Sequence, residues 1–389
     1  MITPEQKAVM FQGEPSLGSI YGEEERVAVN KTLEASMDPS VGFYAAKETL
    51  ELEKEFARVC NADHAVAFNG AGSALDLIFK ALHLKAGDEV ISCSLNFPGT
   101  HLSIIGEGGR LILCEPDPKT INIDPFDVAK KLTPRTRAVL VTHMNGLAAD
   151  VDMLKQVIDT STLFGPDKPK IICDAARSIG TTYKGQHLGS EAWATFFSLQ
   201  SKKVISTLGE GGIVTTNDTH LAETLKNYRS FGRSFEWGSN FKMTKIQTAV
   251  GLVQLEKLPH LVSLRRNLAD QRNQEFSTLG EINIQEDTPY SESSYYLYTL
   301  ILPENEGGKK RDQLMDILKF KYGIGSVVGN PPTYKLNQLI RSETEGQSLP
   351  IAENLGERII CLSLHPSMTQ EVNQYIIDSF TNAYRDIFS

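Results

Sequence analysis

The order of apolar segments predicts an α/β protein: a mainly parallel, mixed seven-stranded sheet flanked by helices, followed by a smaller α+β unit. Three observations carry this. From about residue 63, short β-branched runs alternate with stretches of helical periodicity, the pattern of strand–helix–strand crossovers. The strand-like runs are apolar throughout rather than on alternate residues, as expected of a sheet covered on both faces. After a long helical segment at 244–276 the alternation changes, so the chain divides into a large unit over residues 1–262 and a small one over 263–389.

Taken in order, "HAVAFNG" reads as the first strand, and "SALDLIFKALHL" as a helix with Leu75, Ile78, Phe79 and Leu82 on one face. "DEVISCS" is a strand followed by the helix "GTHLSIIGEGG". "RLILCEPD", "RAVLVTHM" and "KIICDAA" are further strands, separated by helices around "DPFDVAKKL" and "DVDMLKQVI". "WATFFSL" and "GGIVTTND" complete the seven. In the second unit "SYYLYTLIL" and "RIICLSLHP" read as strands. "KRDQLMDILKFKYGI" is a helix ended by Gly323, and "QEVNQYIIDSFTNAYRDIF" a last helix. The long stretch "GNPPTYKLNQLIRSETEGQSLP" reads as a loop bordering a site.

Composition narrows the function. Hydrophobic residues make up 41% and charged residues 22%, values ordinary for a soluble globular chain. A net charge of −9 gives no support to nucleic-acid or anionic-membrane partners. Five scattered cysteines without a C-x-x-C pair read as buried free thiols, which favours a reducing compartment over a disulfide framework or a zinc site. The opening "MITPEQKAVMFQGEP" has no apolar core of a signal peptide, and no stretch reaches the ~18 apolar residues of a membrane span. A cytoplasmic protein is expected.

Ligands of parallel sheets bind outside the carboxyl ends of the strands, and four clusters fall there. "NGAGSAL" (69–75) joins a strand to a helix through small residues, whose N–H groups can cradle a phosphate; a plain turn is the alternative. Asp174 in "ICDAARS" ends an apolar strand, where a carboxylate needs a cation or donors, unless it simply caps a helix. "SLNFPGT" (94–100) carries Phe97, either a ring beside a ligand or a core residue. "SLQSKKVISTLGEGG" (198–212) holds Ser198 and the adjacent Lys202 and Lys203. Phosphate loop, aromatic, aspartate and lysine, in that chain order, suit pyridoxal phosphate. That cofactor needs a lysine for its Schiff base, a carboxylate for its pyridine nitrogen, a dianion cradle and a flat apolar face. Neighbours in an extended strand point to opposite faces, so one lysine of the pair should face the cofactor and the other should not.

With "FFSLQSKKVISTLGEGGIVTTND", "ICDAARSIGTTYKGQHLG" and "GSNFKMTKIQTAVGLVQLEKL", the chain resembles the DegT/DnrJ/EryC1/StrS sugar aminotransferases over nearly its whole length. The resemblance implies the type I fold of pyridoxal-phosphate enzymes. It also implies a pyridoxal 5'-phosphate cofactor, with pyridoxamine 5'-phosphate as the intermediate form, and a homodimer with shared active sites. Carried over, Lys203 is the Schiff-base lysine, since it stands five positions after Ser198. Asp174 pairs with the pyridine nitrogen and Phe97 stacks on the ring. Gly72, Ser73 and Ser198 bind the phosphate, and Asn240 reaches the phosphate in the neighbouring subunit. Arg177 stands where relatives carry Gln or His close to the cofactor, and Lys242 where an arginine is frequent.

The activity implied is transfer of an amino group from an amino acid, glutamate the expected donor, to a nucleotide-linked or phosphorylated keto-sugar in amino-sugar biosynthesis. A related branch with histidine at the lysine position performs dehydration, so lysine favours transamination. Alternatives are another type I activity (lyase, sugar dehydratase or cyclitol aminotransferase), or a cofactor-binding regulatory relative without turnover. The substrate pocket is expected from "DPSVGFYAAK" (38–47) and from loops around Arg233 and Tyr334.

Overall fold

The computed structural model describes residues 10–44 and 46–388. An arm over residues 10–22 leads into α1 (Glu23–Ser36) and α2 (Ala46–Val59), two helices that the alternation starting at residue 63 did not announce. The crossover series follows: β1 (His64–Phe68), α3 (Ala71–Ala81), β2 (Glu89–Cys93), α4 (Pro98–Gly106), β3 (Arg110–Cys114), α5 (Pro125–Lys131), β4 (Thr136–Thr142), α6 (Val151–Thr160) and β5 (Lys170–Asp174). The short strands β6 (Thr182–Tyr183) and β7 (Gln186–His187) precede β8 (Ala194–Ser198), β9 (Gly212–Thr216), α7 (Thr219–Arg229) and α8 (Lys245–Phe276).

The large sheet has the order β1-β9-β8-β5-β4-β2-β3. All neighbours run parallel except β9, which is antiparallel to both β1 and β8. Strands β2, β8 and β9 are buried at every residue, as strands covered on both faces are, their few polar residues included. Local chemistry sets the helix ends. The Asp150 carboxylate accepts from Met153 N–H at the start of α6, and Thr244 and Gln247 form a reciprocal capping box on α8.

Beyond α8 come β10 (Asn283–Ile284), β11 (Ser291–Glu292), β12 (Tyr298–Ile301), α9 (Lys309–Tyr322), β13 (Ser326–Val327), α10 (Thr333–Leu336), α11 (Gln338–Glu343), α12 (Pro350–Arg358), β14 (Ile359–Leu362) and α13 (Gln370–Phe388). The second sheet is antiparallel, β10-β12-β14-β13, and Gly323 ends α9 in the left-handed conformation (φ 69°). The stretch read as a long loop at 329–350 contains α10 and α11, each too short to show a helical period.

Two cores result. The expected division at 262 falls inside α8, which gives Leu255, Leu258 and Leu261 to the first core and Leu268, Ala269 and Phe276 to the second. Core membership does not follow chain order strictly. Ile340, Ala352 and Leu355 pack into the first core, and Phe11 of the arm packs against the second.

Candidate active site

The carboxyl ends of β2, β4, β5 and β8 open onto a cavity of about 670 Å³. Of the residues singled out in the sequence, Gly72, Ser73, Phe97, Asp174, Arg177, Ser198 and Lys203 line it together. Asn240 does not. It lies in a separate hollow with Phe43, Tyr44, Phe231, Arg233 and Lys242. Tyr334 borders a third, on α10 and α11, where its hydroxyl donates to Glu353. Of the expected substrate segment at 38–47, residue 45 lies outside the described residues.

One wall is the turn from β1 into α3. Ser73 Oγ donates to Asn69 Oδ1 at 2.9 Å, and open space lies above Gly72. Gly212, at the start of β9, packs against this turn so closely that a Cβ there would come within 2.6 Å of the Ala71 nitrogen. Opposite stands Phe97, the residue before α4, with 60% of its surface exposed rather than sunk in the core.

Asp174, at the end of β5, is 4% exposed. It accepts from Ala176 N–H at 3.0 Å and from Thr100 Oγ1 at 3.1 Å, and a turn rather than a helix follows it, so it caps no helix. Burial raises its carboxyl above the ordinary value, and those two donors, with the nearby Lys203 and Arg177, only partly counter it. Such a group is stabilised by a cation placed against it.

The lysine pair departs from the expectation of opposite faces. Residues 201–206 form turns, not a strand: Lys203 N–H bonds back to Gln200 O at 2.8 Å, and Ser201 N–H to Gly209 O at 2.9 Å. With the backbone curled, both side chains line the cavity. Their surroundings differ. Lys202 Nζ pairs with Glu14 at 2.9 Å. Lys203 Nζ sits 4.8 Å from the centre of the Tyr296 ring and 3.4 Å from its hydroxyl. Burial lowers the Lys203 pKa to about 8. The Arg177 charge adds to that, while Glu14 and Asp174 oppose it.

Arg177 is held by two asparagines, donating to Asn145 Oδ1 at 2.8 Å and to Asn330 Oδ1 at 2.9 Å. Both asparagines adopt positive φ (57° and 94°), a conformation this residue type tolerates better than most. Sequence reading missed Glu14 and Tyr296, whose hydroxyl donates to Glu14. It also missed Thr142, a cavity-lining residue whose buried hydroxyl has no partner among the described residues.

Behind the sheet, on the face opposite Asp174, His143, Cys173 and Glu191 form a buried cluster. His143 Nδ1 accepts from Ala149 N–H at 3.0 Å, so its Nε2 carries the proton and points at Glu191 Oε1, 3.6 Å away. Burial acts to raise the Glu191 carboxyl, but His143 and backbone N–H groups hold it down at about 2. With Nδ1 accepting, the ring is neutral and its Nε2–H offers no lone pair, so the trio sets an N–H against a carboxylate rather than forming a metal site.

The cavity fits pyridoxal phosphate by the chemistry of its walls. It combines a buried carboxylate short of a cation, an amine of depressed pKa, hydroxyls and amides at the start of an 11-residue helix, and an exposed aromatic ring.

Comparison with known proteins agrees. The chain is 32% identical to the spore coat polysaccharide biosynthesis protein SpsC of Bacillus subtilis, with 95% of each chain covered. It is 31% identical to the GDP-perosamine synthase of Caulobacter vibrioides, over 89% of this chain and 91% of that one. Among solved structures, the putative sugar aminotransferase Spr1654 of Streptococcus pneumoniae in its PMP form superposes with a TM-score of 0.86 at 26% identity. That match covers 96% of this chain and 98% of the other. Spr1654 has been solved in a PLP form as well, and the fold is the type I fold of pyridoxal-phosphate transferases. The model of the DegT/DnrJ/EryC1/StrS aminotransferase family matches residues 22–381, and the chain belongs to that family.

Proposed function

We propose that the protein transfers an amino group from an amino acid, glutamate the expected donor, to a nucleotide-linked or phosphorylated keto-sugar in the cytoplasm. One observation carries the reading most: a buried carboxylate and a lysine amine of depressed pKa face the same cavity at the carboxyl edge of the sheet. The names of the matched relatives, a perosamine synthase and a sugar aminotransferase among them, support a sugar acceptor.

Bound pyridoxal phosphate supplies an aldehyde that captures amines and a protonated ring that takes up electrons. In this reading Lys203 would hold the cofactor and, when its amine is free, would take up and return a proton at Nζ; a pKa near 8 suits both directions. Asp174 would supply the negative charge that a protonated ring nitrogen needs. Gly72, Ser73, Ser198 and the α3 amides would bind the phosphate, and Phe97 would offer the ring an apolar face. Arg177, fixed by Asn145 and Asn330, places a permanent cation beside Lys203.

A homodimer with shared sites belongs to the same proposal. Asn240 lies outside its own cavity, among the exposed aromatics Phe43, Tyr44 and Phe231, which is where a residue serving a neighbouring subunit would stand. We keep the division into a cofactor-binding unit, 1–262, and a small unit, 263–389, in this scheme.

Enzyme loaded with pyridoxal phosphate and mixed with L-glutamate should convert to the pyridoxamine form, read in its absorbance spectrum. A spectrum unchanged by every amino acid tried would refute transamination.

A further inference from the structure

Lys202 and Lys203 are adjacent, line one cavity and are chemically identical, so position in the loop alone does not make one of them the cofactor lysine. Attachment to an aldehyde requires an unprotonated amine. The nitrogen lone pair adds to the carbonyl carbon, water leaves, and a C=N bond remains. An ammonium held in an ion pair has no lone pair to offer.

Glu14 treats the two lysines differently. One carboxylate oxygen pairs with Lys202 Nζ at 2.9 Å, and the other accepts the hydroxyl proton of Tyr296. With its proton committed there, Tyr296 presents an oxygen lone pair and a ring face to Lys203, 3.4 Å and 4.8 Å away respectively. Lys203 therefore has a neutral partner and Lys202 an anionic one. Burial acts to raise the Glu14 carboxyl, but Tyr296, Lys202 and Arg177 hold it below its ordinary value, so it stays ionised.

The arm that carries Glu14 is fastened to both elements. Gly18 N–H donates to Ser201 O at 3.0 Å, and Ser201 Oγ to Ser16 O at 2.7 Å, tying the arm to the lysine loop. The buried Arg265 guanidinium donates to Gly18 O at 2.6 Å and to the carbonyls of Tyr295 and Tyr296, tying the arm to the Tyr296 segment. A Cβ on Gly18 would lie 2.0 Å from Lys202 O, so only glycine permits this approach.

We propose that Glu14 is a positioning residue that selects between the two lysines. It holds Lys202 as a parked ammonium and fixes the Tyr296 hydroxyl beside Lys203, leaving Lys203 as the amine that takes the cofactor. The inference rests on Lys203 being the cofactor lysine, and its test separates the two.

Enzyme loaded with pyridoxal phosphate is reduced with borohydride, which converts the C=N bond to a stable C–N bond, and the labelled lysine is located by peptide mass spectrometry. Wild type should carry the label on Lys203. Lys203→Ala should carry little on Lys202, because Glu14 still holds that amine. Adding Glu14→Ala should raise Lys202 labelling at least tenfold. Adding Glu14→Gln instead, which keeps an acceptor for Tyr296 and removes only the charge, should do the same. Circular dichroism and equilibrium dialysis with pyridoxal phosphate verify that each variant is folded and binds the cofactor. The role of Glu14 is overturned if folded, cofactor-binding double variants label Lys202 no more than Lys203→Ala does. A wild-type label on Lys202, or on neither lysine, overturns the Lys203 reading itself.

Discussion

If burial and Arg177 together set the Lys203 amine, then changing its charged neighbours must move its titration in opposite directions. Arg177 is the second-largest influence lowering its pKa, after burial, whereas the Glu14 charge raises it. Arg177→Gln should therefore raise the Lys203 midpoint, and Glu14→Gln should lower it. An ordinary lysine with a pKa of 10.5 is neutral in about one molecule per thousand at about pH 7.5. With a pKa of about 8 the neutral share is about a quarter, a gain of roughly two hundredfold. Because burial is the larger influence, Arg177→Gln should raise the midpoint yet leave it below that of an ordinary lysine, so the reactive share falls without reaching one per thousand at about pH 7.5. Cofactor-free enzyme pulsed with a trace acylating reagent across the alkaline range, with Lys203 acylation quantified by mass spectrometry, gives the midpoint directly. A wild-type midpoint close to that of an ordinary lysine, or shifts of the same sign in both variants, would refute the electrostatic account.

Asp174→Asn removes the charge that the proposed function assigns to the ring nitrogen; it should weaken pyridoxal phosphate binding by about 10- to 100-fold, the worth of one charge-assisted buried hydrogen bond, measured by equilibrium dialysis. Gly18→Ala should cost about 1–3 kcal/mol in urea unfolding, since its Cβ meets the backbone of the lysine loop rather than a side chain that could turn away. An unchanged urea midpoint would mean the arm is not seated there. Measured against Lys203→Met, the cofactor-free enzyme should gain relative stability as pH rises from about 8 toward 10.5, because in that window the unfolded chain keeps the Lys203 proton and the folded one has lost it. The difference cancels the buried cysteines, whose raised thiols pull total stability the other way, and a difference that stays flat or falls would contradict the depressed amine.

How much of this was legible in the sequence follows from the range of each interaction. The seven strands and their helices are written locally, in apolar runs and 3.6-residue periods, and β1 to β5, β8 and β9 formed where those runs stand, while the two-residue strands β6 and β7 are too short to show a run. Helices α1 and α2 lie ahead of the strand alternation, where no neighbouring strand marks them. The lysine segment defeated the period-2 argument for a local reason: the bond from Lys203 N–H to Gln200 O closes a turn that residue identity alone did not reveal. Glu14 and Tyr296 were out of reach altogether, 188 residues from Lys202 and 93 from Lys203 respectively, and brought there by the anchored arm and the buried Arg265. The consequence is chemical. Spacing from Ser198 singles out Lys203 only by likeness to other chains, whereas the Glu14 carboxylate supplies a physical reason for the same choice. It holds the wrong amine as an ammonium from outside the loop, so the selection is tertiary and survives the turn that places both lysines in one cavity.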